Sequence, residues 1–263
     1  MSNSVNNDVY EAVDSAYSEQ PAATRRQLVG GAAATIGGLT VLGALPELAS
    51  AEHTNEPQTV LNVAATAEVL ATIVNTVGRE KVNLDPVTDA NVAAAAREEL
   101  IHERVLEASG GKPVTTKIHV PDEVFASPTN LLSTLEVGDQ IFINAYLLAT
   151  TLFATKAYRN PKLARYTAEF MGVEAVHRAL ARQSLGKLGN DRAFMRYVQA
   201  EEASDAPNKG AVGFKHIETA VKQLEAAGFG FGKPGSKPGQ MYDFAEVSAR
   251  TPNPGGVNTT SPR

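Results

Sequence analysis

The sequence predicts an all-α fold: a four-helix bundle with one long crossover. Four segments carry apolar residues at helical spacing, and capping residues or prolines mark where they begin. Short loops join the first helix to the second and the third to the fourth, so each pair should form an antiparallel hairpin. Residues 111–127 connect the two hairpins and are long enough to cross the bundle. No part of the sequence predicts a sheet of more than two strands.

The first hairpin has clear signals for where its helices begin and end. Its first helix is predicted over residues 59–77, and Gly78 is expected to end it as a C-cap. Its second helix is predicted over residues 88–108, with Thr88 or Asp89 as the N-cap and a double glycine shortly after the end. A run of four alanines gives this second helix a high intrinsic propensity.

The second hairpin has matching start signals. Its helices are predicted over residues 127–156 and 160–183. Each begins with a capping residue that precedes a proline at the first helical position, as Ser127-Pro128 and Asn160-Pro161.

The chain continues well past the bundle, which is expected to span residues 58–185. Residues 189–227 are predicted to hold additional helices, a short one at 191–199 and an amphipathic one at about 211–227. Residues 228–263 are rich in glycine and proline, so an extended tail is expected there. The predicted architecture is therefore a bundle plus a C-terminal helix and an extended tail.

Residues 1–51 resemble an export signal with a polar N-terminal extension. The pair Arg25-Arg26 precedes a weakly hydrophobic run and is similar to a twin-arginine (Tat) signal, although the usual following lysine is absent. The segment Ala49-Ser50-Ala51 suits signal peptidase, so cleavage is expected after Ala51. This predicts a periplasmic, cell-surface or extracellular protein with no strong membrane association after cleavage. The alternative is an uncleaved anchor, because residues 27–46 are long enough to span a membrane.

Composition favours neither nucleic acid nor anionic lipid as a partner. The chain has 24 Lys and Arg against 29 Asp and Glu, a net charge of −5, and no basic stripe favours nucleic acid or anionic lipid. Cysteine is absent, so any metal site must use oxygen and imidazole ligands. A homodimer is compatible with the sequence.

Two Glu-x-x-His motifs occupy the second and fourth predicted helices: Glu99-Leu100-Ile101-His102 and Glu174-Ala175-Val176-His177. Residues three apart share a helical face, so each motif can direct a carboxylate and an imidazole to one point. A two-metal site in a bundle needs such a pair from two helices and one acid from each of the others. In the first helix the internal acid is Glu68.

The third helix offers two acids, Asp139 and Glu136. Glu99 lies 31 residues after Glu68, whereas Glu174 lies 35 residues after Asp139 and 38 after Glu136. Similar separations place groups at one height in antiparallel helices, because each residue rises about 1.5 Å. Asp139 is therefore the preferred ligand and Glu136 the second choice.

The candidate ligands also have an interpretation without metal. His102 and His177 are compatible with ordinary surface or partly buried helix positions. Glu68 fits this interpretation less well. It lies among small apolar residues and should face inward, where a carboxylate without a metal or another cation costs several kcal/mol.

Three residues near these candidates are expected to take no part in chemistry. Glu98 and Glu103 flank the first motif and are expected to be solvated. Tyr146 lies two turns from Asp139 on the same face and is expected to be a core residue.

These motifs resemble the ferritin-like superfamily, and most of all the exported bacterial ferritin-like domain proteins, some of which are linked to desiccation. The run Gly138–Leu147 (GDQIFINAYL) is similar to the third helix of that group, and Glu174–Ala179 (EAVHRA) to its fourth. The likeness covers residues 58–185. It implies a ferritin-like four-helix bundle whose matching acids bind two iron or manganese ions.

The resemblance also implies a role for each ligand: Glu99 and Glu174 bridge the ions, His102 and His177 each bind one, and Glu68 and Asp139 are terminal ligands. Asp139 departs from the family pattern, in which Glu is commoner. Its shorter side chain would weaken one metal position or shift its geometry.

Oxygen ligands combined with imidazole favour iron or manganese over zinc or Cu(I). Such a centre can react with O₂ or peroxide, and three outcomes are compatible: iron oxidation, peroxide disposal, or oxidation of an organic substrate. The four-cysteine site of peroxide-reducing relatives is absent, which favours ferroxidase or catalase-like chemistry. The alternative is a non-enzymatic stress- or desiccation-associated bundle in which the metal is structural or lost.

Overall fold

Four long helices form the bundle that positions the candidate site. The computed structural model describes residues 55–190 and 216–256. Within them, the bundle helices are α1 (Pro57–Lys81), α2 (Pro86–Ala108), α3 (Pro128–Ala154) and α4 (Pro161–Ser184). The two hairpins are recognisable because α1 packs chiefly on α2, and α3 chiefly on α4. The predicted all-α bundle is confirmed, and each helix lies within a few residues of its predicted bounds.

Proline marks the start of all four helices, and a capping side chain adds to it in α2, α3 and α4. All four have proline at the first position, where the missing N–H removes no helical hydrogen bond. Asp85 accepts hydrogen bonds from two backbone N–H groups of α2, at 3.0 and 3.1 Å, so Asp85 is the N-cap rather than Thr88 or Asp89. Ser127 and Asn160 cap α3 and α4 as predicted.

Gly78 has a different role from the predicted one. Helix α1 continues to Lys81 and ends at Val82, whose backbone is extended. Gly78 therefore lies inside the helix, and a Cβ atom at this position would lie 2.6 Å from Cδ1 of Leu131 on α3. The glycine allows α3 to approach α1 closely instead of ending the helix.

The crossover contains the central strand of a small sheet. Strand β1 (Lys117–Pro121) pairs antiparallel with β2 (Gly230–Phe231) on one side and β3 (Gly239–Asp243) on the other. A short 3₁₀ turn, Asp122–Phe125, then leads to α3. The prediction of no sheet beyond two strands is wrong, and the described part of the predicted tail, residues 228–256, is not simply extended.

Separation along the chain explains why the sequence pattern does not predict this sheet. Ile118 lies opposite both Phe231 and Tyr242, so each partner strand is more than a hundred residues away and leaves no hairpin signature near β1. Glycine permits the close pairing, because a Cβ on Gly239 would lie 2.2 Å from the carbonyl oxygen of Val120.

Two shorter helices pack on the bundle. Helix α5 (Glu218–Ala226) packs on α3, and α6 (Phe244–Ser248) packs on α1. Helix α5 confirms the predicted C-terminal helix for the part of it that the structure describes. The short helix predicted at residues 191–199 and the export signal predicted at residues 1–51 lie outside the described residues.

Helices α1 and α3 are long and apolar enough to cross a membrane by length and composition alone. In α1, however, 89% of the apolar window is buried inside the protein. A core helix that is apolar on all sides has the same composition.

Candidate metal centre

Six side chains from all four bundle helices lie buried in the interior, and we call them the six-residue cluster. At most 8% of any one of these residues is exposed to solvent. They are the six preferred ligands predicted from the sequence: Glu68 on α1, Glu99 and His102 on α2, Asp139 on α3, and Glu174 and His177 on α4.

The first half of the cluster surrounds His102. Its Nδ1 atom lies 3.6 Å from Oε1 of Glu68, 3.5 Å from Oε2 of Glu99 and 3.6 Å from Oε1 of Glu174. One ligand atom from each of these four residues lies within 4.8 Å of the others. Since metal–ligand distances are about 2.0–2.2 Å, the separations of 3.5 and 3.6 Å from Nδ1 of His102 are short enough for these atoms to share one ion.

The second half surrounds His177. Its Nδ1 atom lies 3.0 Å from Oε1 of Glu99 and 3.7 Å from Oε2 of Glu174. Asp139 lies on this side, close enough to interact electrostatically with Glu174 and His177. The two motif glutamates therefore lie between two imidazoles, and each glutamate faces both.

Apart from their ion-pair contacts with one another, the inward-facing atoms of the cluster have no hydrogen-bond partners. They are Nδ1 of both histidines, both carboxylate oxygens of Glu99 and Glu174, Oε2 of Glu68 and Oδ2 of Asp139. A buried polar atom without a partner costs about 1–3 kcal/mol, and more if it is charged. Eight such atoms at one place indicate a binding site for a group that the protein chain itself does not supply.

The carboxyl groups of the cluster respond unequally to burial. Burial raises the pKa of Glu68 well above its usual value, and the neighbouring Glu99 raises it further. Burial likewise raises the pKa of Asp139, with a further contribution from Glu174. Burial also disfavours the ionised form of Glu99, but His177 and His102 outweigh it and hold the pKa of Glu99 far below its usual value.

Both imidazoles are drawn toward their charged form. Burial alone would lower the pKa of His102, but the carboxylates of Glu68 and Glu174 raise it well above its usual value. The pKa of His177 is raised in the same way against burial, chiefly by Glu99. The metal-free cluster thus retains protons on histidines and on carboxyl groups that would lose them in water.

Glu98 contacts the cluster from outside. Its Oε2 atom lies 2.7 Å from Nε2 of His177, although about half of the Glu98 side chain is exposed. An ionised carboxylate can only accept, so Nε2 donates and Nδ1 of His177 faces the cluster. The expectation that Glu98 is merely solvated is wrong. Glu98 orients the imidazole ring of His177.

Tyr146 contacts the opposite half of the cluster. Its hydroxyl donates a hydrogen bond to Oε1 of Glu68. Burial raises the pKa of Tyr146 well above its usual value, so the phenol remains a donor. Its ring packs on Phe170, which also packs on His102 with ring centroids 4.1 Å apart. Tyr146 is buried as predicted, but it also positions a candidate ligand.

Two other acids lie apart from these contacts. Glu136 pairs with the guanidinium of Arg182 and with Nζ of Lys187, the latter at 2.7 Å. The structure therefore gives Glu136 cationic partners outside the cluster, and Asp139 is the better candidate. Glu103 is buried rather than solvated, and burial with the nearby Glu107 raises the pKa of Glu103 to about 7.

Comparison with known proteins adds an independent finding. The family described as Ferritin-like domain matches residues 56–187, which is half of the chain and contains all four bundle helices. The comparison with curated proteins found no match. The chain belongs to the ferritin-like domain family.

From the protons that the cluster retains, we predict how its affinity for divalent cations depends on pH. A cation needs neutral imidazoles and ionised carboxylates, so it must displace protons whose pKa values are raised. Its affinity should therefore fall as the pH falls, by about tenfold per pH unit for each proton displaced. Calorimetric titrations at several pH values, in buffers of different ionisation enthalpy, measure both the affinity and the released protons.

The control for this prediction is Glu136→Gln, which changes an acid outside the cluster and should keep the same pH dependence. A cation affinity that does not change between about pH 5 and 8 would contradict the proton count of the cluster.

Proposed function

We propose that this member of the ferritin-like domain family binds two iron or manganese ions in the six-residue cluster and uses them to react with O₂ or peroxide. The observation that carries the proposal is the group of eight buried, inward-facing ligand atoms without hydrogen-bond partners. Four carboxylates offset the charge of two divalent cations, and carboxylates with imidazoles are ligands that iron and manganese accept.

The geometry favours a particular division of the ligands. Glu99 and Glu174 would help to hold both ions, because each lies within 3.7 Å of both imidazoles. His102 would bind one ion together with Glu68, and His177 would bind the other together with Asp139. This division matches the one that the family resemblance implies.

The neighbouring side chains would support such a centre. When bound, iron or manganese supplies reversible one-electron chemistry toward O₂ or peroxide. Glu98 keeps the proton of His177 on Nε2, which leaves Nδ1 for the metal. Tyr146 donates to Glu68 and fixes the orientation of that carboxylate, while Phe170 shields His102 from water.

Metal content tests the centre directly. The wild-type protein should carry two ions of iron or manganese per chain, measured by elemental mass spectrometry on protein from its native host. Glu99→Gln and Glu174→Gln should lose both ions, because each glutamate faces both halves of the cluster. Asp139→Asn should lose mainly the ion beside His177.

Glu136→Gln is the matched control for these variants, since it also neutralises an acid of α3 but changes no member of the cluster. It should keep both ions. Wild-type protein that carries no metal, and whose stability matches that of the Glu99→Gln variant, would instead support the non-enzymatic bundle.

The redox part of the proposal has its own test. Protein loaded anaerobically with Fe²⁺ should oxidise it on mixing with O₂ or hydrogen peroxide, followed by stopped-flow absorption. Glu98→Ala should reduce metal affinity by about 10–100-fold through loss of the histidine partner, and the oxidation rate at low Fe²⁺ should fall with it. If metal-replete protein oxidises Fe²⁺ no faster than buffer does, this result would contradict the redox role but not the metal binding.

We also propose that the protein is exported as a folded chain and belongs with the stress-linked, desiccation-associated type. The support is the twin-arginine-like segment at Arg25-Arg26 and the resemblance of α3 and α4 to that group. A Tat-type route carries folded proteins, so metal could be inserted before export.

Substitution of both arginines tests this route. Arg25→Lys combined with Arg26→Lys should keep the protein in the cytoplasm of its native host, whereas wild-type protein should be recovered outside and begin at Glu52. Normal export of the double variant would rule out a twin-arginine signal.

A further inference from the structure

The two sides of the six-residue cluster are closed in different ways. On the side of His102 and Glu68, the rings of Phe170 and Tyr146 fill the space next to the ligands. On the side of His177 and Asp139, a cavity lies against both of these ligands. We call it the polar cavity.

The polar cavity extends along the bundle axis. Its lining includes Asn75, seven residues after Glu68, Leu132, seven residues before Asp139, and Ser184, seven residues after His177. Seven residues correspond to about 10 Å along a helix, and in antiparallel helices these offsets all point to the same end of the bundle. The cavity therefore runs from the cluster toward that end, where Ser184 is exposed.

Half of the residues that line the polar cavity are apolar, and the polar half suits a cation. Oδ1 of Asn75 and Oδ2 of Asp139 are acceptor atoms without hydrogen-bond partners, and both residues are at least nine-tenths buried. Among the described residues that line the cavity, none is lysine or arginine. Carbonyl and carboxylate oxygens facing a narrow space favour a divalent ion over an anion.

At the outer end of the polar cavity, two hydroxyl groups contact each other. The hydroxyls of Thr88, in the first turn of α2, and Ser184, the last residue of α4, lie 2.8 Å apart and share a hydrogen bond. This contact joins the two helices that carry the Glu-x-x-His motifs, at the end where the cavity meets solvent.

We propose that the polar cavity is the route by which divalent metal ions enter and leave the cluster, with Oδ1 of Asn75 as a ligand on the way and the Thr88–Ser184 contact as its gate. This inference rests on the proposed metal centre. It assigns the ion beside His177 and Asp139 as the first to bind and the first to be released, because the rings of Phe170 and Tyr146 pack against the other half of the cluster.

A second cavity provides an internal control. It lies between α1, α3 and α5, and its lining includes Ala64, Phe142, Ala149 and Ala220. It reaches Tyr146 but is otherwise apolar, so a metal ion has no oxygen ligands on the way through it.

The experiment follows Co²⁺, whose visible absorption reports on binding, as it enters metal-free full-length protein and as EDTA removes it. Ala181→Leu places extra atoms in the polar cavity and should slow both rates by at least about tenfold, with the equilibrium affinity changed much less. Ala220→Leu makes the same substitution in the apolar cavity and should leave both rates unchanged.

Two further variants separate the gate from the ligand. Ser184→Ala removes the gate hydrogen bond at an exposed position and should speed both rates. Asn75→Ala widens the cavity but removes an acceptor oxygen, so it should slow entry, whereas a passive passage would admit the ion faster.

The outcomes are distinct. Equal rates in wild type, Ala181→Leu and Ser184→Ala would overturn the route, and so would equal slowing by Ala181→Leu and Ala220→Leu. If Ala181→Leu does not fold by circular dichroism, the Ser184→Ala rates decide alone, with acceleration supporting the route and no change overturning it. Failure of Co²⁺ to bind wild-type protein at all would instead overturn the metal centre.

Discussion

Four carboxylates lie at one height inside the bundle, and like charges in a low-dielectric interior cannot all remain ionised without cations. In the metal-free protein, protons on both imidazoles and raised pKa values at Glu68 and Asp139 reduce this repulsion. Divalent ions would replace those protons and would be bound by the ligand atoms that lack hydrogen-bond partners. Each bundle helix contributes at least one of these groups, so this balance of charge depends on the register of all four helices.

The small sheet and the C-terminal helices stabilise that register from outside the bundle. Strand β1 lies in the crossover between the hairpins, and its pairing with β2 and β3 ties the crossover to the C-terminal part of the chain. Helix α6 packs on α1 and α5 packs on α3, which are the two helices that each supply a single acid to the cluster. The segments beyond the family match thus support the helices that lack a Glu-x-x-His motif.

The two halves of the cluster are not equivalent. Around His102, a tyrosine hydroxyl holds Glu68 and aromatic rings exclude water. Around His177, the acid is the shorter Asp139, the partner of the ring is the half-exposed Glu98, and a cavity leads toward the end of the bundle. Two ions bound here would therefore differ in solvent access and in ligand reach, which is a physical basis for different affinities at the two positions.

The sequence by itself determined the helices and the identity of the candidate ligands. Helical periodicity and proline-marked starts act over a few residues, and the spacing of Glu99, Glu174 and their histidines places each pair on one face. Only the tertiary structure decided the partners: Arg182 for Glu136, Tyr146 for Glu68, Glu98 for His177, and the strands that pair with β1. These contacts join residues far apart in the chain or on different helices, so the local sequence pattern does not predict them. Which side chains pair depends on how the packed helices face one another.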